Sequence, residues 1–101
     1  RFAYDDDYLY VLLVCPAVDG RPMAKQTPRE PRKYDMSLDG TDHLHLVLDT
    51  DRDYVSACEL AVNDAGHTFD RCCQAEEWNP RWYVAVDSRA DGWSAELAVR
   101  L

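Results

Sequence analysis

Asp49, Asp51 and Asp53 stand at alternate positions in the stretch DTDRDY, between two aliphatic runs. Clustered carboxylate oxygens are the ligands that calcium takes. The spacing matches the first three ligand positions of an EF-hand loop, but Tyr54 stands where the sixth position needs glycine and Leu60 where the twelfth needs glutamate. An EF-hand is excluded. Two expectations remain. One is a simpler calcium-bearing turn through the three aspartates. The other is a solvated turn whose Asp side chains accept from nearby backbone amides, with Arg52 offsetting their charge.

Other residue types point to other chemistry. His43 and His45 are two apart, so on a strand they share a face and could supply two zinc ligands. No third ligand is placed by the sequence, and exposed strand histidines are the plainer expectation. Met36 with a histidine could ligate haem, but no C-x-x-C-H attaches one. Glu59 and Glu96 would suit glycoside hydrolysis if neighbouring strands brought them to one face. No G-x-S-x-G occurs and no cysteine has a histidine at a diagnostic spacing, so nucleophilic catalysis has no support. Cys15 and Cys58 lie in apolar runs and read as small buried hydrophobes. Adjacent Cys72 and Cys73 are poorly placed to bond each other, and pairing of either with Cys15 or Cys58 is open but not favoured.

The aromatic residues say more. Trp93 is in phase with an aliphatic face and reads as core. Trp78 lies in a loop beside Glu76 and Glu77. An exposed indole there suits the C–H face of a sugar, with nearby carboxylate, Arg and Asn groups taking the hydroxyls. Alternatively it folds back as a lid on a sheet edge.

These residues need elements to hold them. Runs at 8–15, 42–49, 54–63, 67–71, 82–87 and 93–101 read as strands. Leu44, Leu46 and Leu48 alternate, as do Trp93, Ala95, Leu97, Val99 and Leu101. The run at 8–15 is apolar throughout, which predicts cover on both faces. Asp5, Asp6 and Asp7 read as an acidic lead-in that discourages edge pairing. Asp64-Ala-Gly66 and Asp91-Gly92 are turn signals. No segment carries a helical stripe. The expectation is an all-β fold, an antiparallel β-sandwich of jelly-roll or immunoglobulin-like two-sheet architecture, incomplete at both ends. Residues 1–101 form one domain. Segment 16–37 holds four of the five prolines and five of the eleven basic residues, and reads as a functional or mobile loop.

The bulk numbers agree. The chain has 101 residues and is 47% hydrophobic, enough for one core. A net charge of −8 repels phosphate backbones, which argues against nucleic acid. No run is long enough for membrane insertion, and no signal peptide is visible.

Taken in order, the segments DGTDHLHLVLDTDRDY, ELAVNDAGHTFD, EEWNPRWYVAV and DGWSAELAVRL resemble carbohydrate-binding family 9-like modules, within the wider DOMON-like group of β-sandwiches. The likeness rests on DYLYVLLVC as the first strand, Leu48 to Asp51 as Leu-Asp-x-Asp, and Gly92, Trp93 and Glu96 as Gly-Trp-x-x-Glu. The resemblance implies a non-catalytic sugar-binding module, sometimes with structural calcium. It implies Trp78, Trp82 and Tyr34 as aromatic contacts and Arg52 as a polar contact. It further implies an oligosaccharide or sugar terminus as partner, with other domains of the same polypeptide beside it, and an exported, periplasmic or extracellular location. A structural or protein-interaction sandwich, and a haem- or metal-binding module of the DOMON type, are the alternatives.

Overall fold

The computed structural model describes residues 1–18, 34, 36–73 and 78–101. Most of the expected 16–37 loop, and residues 74–77 beside Trp78, lie outside them. The described residues form seven strands: β1 (Phe2–Tyr4), β2 (Tyr8–Pro16), β3 (His43–Leu48), β4 (Cys58–Asn63), β5 (Thr68–Cys72), β6 (Trp82–Arg89) and β7 (Gly92–Arg100). They make two antiparallel sheets, ordered β1-β2-β7-β6 and β3-β4-β5. The fold is all-β, with two sheets as the alternation of the sequence requires.

Register explains which residues go inward. Residues directly opposite on antiparallel strands share a face. Val11 faces Leu97, and Leu97 faces Val84. In the second sheet Leu44 faces Val62 and Leu46 faces Leu60. Val11, Val62, Trp93, Ala95 and Leu97 form the buried core, with Leu9, Leu13, Leu44, Leu46, Trp82, Val84 and Val86 packed on it. Trp93 is only 6% exposed, as its phase along β7 predicts.

Polar ties also link the sheets. Ser88 Oγ on β6 donates to the Asp64 carbonyl at the β4–β5 turn. Trp82 Nε1 donates to Asp70 Oδ2 on β5 at 3.0 Å. The β4–β5 turn is held by buried Asn63, whose Oδ1 accepts from the Ala65 and His67 amides. Gly66 takes a φ of 82° there, a region that costs side-chain-bearing residues energy.

Several sequence expectations change, among them the strand expected over 54–63, which begins only at Cys58. First, residues 2–4 do form a strand, pairing Phe2 with Val11 and Tyr4 with Leu9. The aspartates do not block this, because Asp5 turns the chain: its Oδ1 accepts from the Asp7 and Tyr8 amides. Second, β2 is covered on its inner face only. Tyr10 is 40% and Val14 69% exposed on the other. Third, Cys58 is not a free buried thiol. It sits opposite Cys72 across β4 and β5, and the two form a disulfide.

The remaining cysteines differ sharply. Cys73 is exposed, whereas Cys15 is half-buried, and burial, with the Asp42 carboxylate adding, pushes its thiol pKa up. A thiol reacts as its thiolate. Iodoacetamide at pH 8 is therefore expected to label Cys73 well before Cys15, and peptide mapping after a short pulse checks this. Equal labelling would contradict the burial of Cys15.

Candidate functional site

The Asp-rich turn is closed by its own carboxylates. Asp53 Oδ1 accepts from the Val55 and Ser56 amides at 2.7 Å each, and Asp53 Oδ2 from Ser56 Oγ. Asp49 Oδ2 accepts from the Tyr54 amide at 3.0 Å. The amides of Ser56 and Val55 hold the Asp53 carboxyl below its usual range, the Ser56 contact being the larger cause. Arg52 and Tyr54 adopt φ of 58° and 60°, so the turn is tight. Most of the turn's carboxylate oxygens are spent on its own amides and hydroxyl, with Asp49 Oδ1 buried and unpartnered, and among the described residues no three His, Cys, Asp or Glu side chains converge as a metal site. Arg52 sits exposed at this turn.

His43 and His45 are exposed on the outer face of β3. His43 Nδ1 lies 3.0 Å from the Thr41 carbonyl, and His45 Nε2 lies 3.0 Å from Glu59. His67 is buried beyond the end of β4. Glu59 accepts from Arg71 Nη2 at 2.8 Å. Glu59 and Glu96 belong to different sheets and face opposite sides of the sandwich, so the carboxylate pair is not assembled. The Arg71 hydrogen bond is the main cause holding Glu59 below the ordinary glutamate range. A depressed folded-state pKa adds stability above the unfolded value, and this is lost as pH falls through the folded one. Glu59→Gln is expected to cost less than about 1 kcal/mol near neutrality and to flatten acid unfolding, because the ion pair is partly exposed. Urea titrations from pH 6 down to about pH 3 would show it; an unchanged slope would remove Glu59 from the acid response.

Two of the aromatic residues singled out from sequence do meet. A cavity of about 250 Å³ opens between the edge strands β5 and β6, lined by Tyr34, Thr68, Asp70, Asn79, Pro80, Trp82 and Val84. Each wall has a cause. Thr68 and Asp70 lie on the inner face of β5, opposite Val62 and Leu60. Trp82 starts β6 facing inward, and its bond to Asp70 fixes the ring angle. Pro80 and Asn79 end the preceding loop. The cavity thus has an indole, a phenol, a carboxylate, a hydroxyl and an amide. Trp78 is half-buried nearby in sequence and does not line it; Arg52 does not line it either.

A second feature escaped the sequence reading. On the outer face of the four-stranded sheet, two rows of side chains cross the strands. One is Ala3, Tyr10, Ala98 and Tyr83; the next is Leu12, Glu96 and Ala85. Between them runs a groove of about 580 Å³. Its floor is the backbone at Val11, Leu97 and Val84, whose side chains enter the core. Tyr8 extends the aromatic patch, its ring centroid 6.0 Å from Tyr10 and 6.3 Å from Tyr83. The signal was present in β7, where the small outward Ala98 leaves room between the flanking Tyr10 and Tyr83. Compared with family models, with curated proteins and with solved structures, the chain has no match.

Proposed function

We propose that the chain is a non-catalytic carbohydrate-binding module that holds one sugar residue, such as the terminus of an oligosaccharide, at the mouth of the sandwich between β5 and β6. The observation that carries this reading is the cavity joining Trp82 and Tyr34 to Asp70, Thr68 and Asn79. A pyranose has apolar C–H faces and a polar rim. The aromatic rings suit the first, and the carboxylate, hydroxyl and amide suit the second. The resemblance of the motif order to family 9-like modules points the same way. The Cys58–Cys72 disulfide supports an exported protein, since such bonds persist in oxidising compartments.

Glycan-array screening followed by titration calorimetry tests the proposal. Tyr34 and Asn79 are exposed, so truncating them should spare the fold. Tyr34→Ala is expected to weaken sugar binding about tenfold, equivalent to about 1.4 kcal/mol, with Tm nearly unchanged. Absence of array signal and of heat would leave a structural or protein-interaction sandwich as the reading.

A further inference from the structure

We propose that the groove across the outer face of the β1-β2-β7-β6 sheet is a binding site for a quaternary ammonium group, distinct from the sugar cavity and independent of it. Tyr10 and Tyr83 flank Ala98 on one wall, and Glu96 stands on the other. Glu96 is diagonal to both tyrosines across the strands, and diagonal neighbours lie about 7–8 Å apart at their backbones. All three side chains line the one groove, so a rounded cation seated in it has two phenol rings and a carboxylate around it. A cation near the face of a tyrosine ring is attracted by the ring quadrupole.

The rings are held ready. Tyr10 Oη donates to Asp5 Oδ2 at 2.8 Å, which fixes its position and puts a further carboxylate behind it. Among the described residues Glu96, exposed on β7, has no hydrogen bond or ion pair. The methyl groups of Ala85 and Ala98 hollow the groove and offer apolar contact but no ligands. A bare metal ion would lose water there and gain little, whereas a cation with an apolar shell loses little. The net charge of −8 favours a positive ligand over an anion. Arg1 opposes it at the β1 end of the groove, and Arg100 lies beyond the tyrosines, opposite Tyr8.

The test is titration of the whole chain with choline and with its uncharged isostere 3,3-dimethylbutanol, read by calorimetry and by tyrosine ring resonances. Choline is expected to saturate in the millimolar range and to shift Tyr10 and Tyr83, with the isostere several-fold weaker. Tyr10→Leu, Tyr83→Leu and Glu96→Gln should each weaken choline about two- to fivefold, and Arg1→Ala should tighten it. All four positions are at the surface, and an unchanged Tm confirms that each variant folds. Phosphatidylcholine vesicles separate the sources of the group: choline-competed co-sedimentation assigns a lipid headgroup, and choline binding without it assigns a free solute. Equal affinity for the isostere, or no saturable signal at millimolar choline, would overturn the proposal.

Discussion

Removing the Cys58–Cys72 disulfide is expected to lower the stability of this chain by about 3 kcal/mol, the entropy that a bridge closing a loop of roughly fifteen residues withholds from the unfolded state. The bridge joins facing positions of β4 and β5, with a sequence separation of 14. The rest of that hairpin has modest means. β5 has five residues and is the edge of a three-stranded sheet. A loss of this size against a total of about 5–15 kcal/mol lowers the folded-to-unfolded ratio by about two orders of magnitude. Cys73 complicates the measurement, because its sulfur lies 3.7 Å from that of Cys72 and is exposed. The comparison is therefore Cys73→Ser against the triple variant in which Cys58 and Cys72 are serine too, both in urea. A midpoint that does not move would mean that the β4–β5 ladder alone fixes the hairpin.

Why the sequence did not yield this bridge is instructive. Which cysteine faces Cys58 depends on strand register, and register depends on the Asn63–Gly66 turn. Shifting it by one residue would bring Cys73 opposite instead. Where local chemistry decides, the sequence was readable. β3 and β7 follow directly from alternating apolar residues, and β6 from its bounds. Where two local signals conflict, it was not. Alternation runs on through residues 54–57 and suggests a strand, yet the Asp49 and Asp53 carboxylates capture the amides of Tyr54, Val55 and Ser56. Tyr54 then sits at a φ of 60°, which no extended strand tolerates, and β4 begins only at Cys58. The sites show the same division. Trp82 was legible as a candidate because of its type, but its inward turn toward Asp70 is a product of register. The tyrosine groove was hidden because a run apolar at every position looks the same whether one face or both are covered.

Trp93→Ala is expected to be the most damaging single core change, costing about 3–5 kcal/mol. At roughly 4–8 °C per kcal/mol for a domain of this size, Tm falls by at least about 12 °C, or the chain no longer folds. The size follows from position. Trp93 begins the inward row of β7, which packs with Val11, Val62, Ala95 and Leu97, and the small Ala95 beside it makes room for the indole. Deleting the ring leaves a void that flanking strands cannot close, because β7 is fixed on both sides by β2 and β6. Gly92 limits relaxation further: it has a φ of 150°, and a Cβ there would lie 2.5 Å from the Cys15 carbonyl oxygen, so the backbone at this end has no slack. Trp93→Phe keeps much of the volume and should cost less, which separates loss of packing from general intolerance. Thermal melts by circular dichroism measure both. Trp82→Phe provides the contrast, since Trp82 is only half-buried and its loss removes the tie to Asp70 while sparing the centre of the core. If Trp82→Phe proved as damaging as Trp93→Ala, the weight of the fold would lie at the sandwich mouth, and a sugar seated there would have to be bound by a structural element.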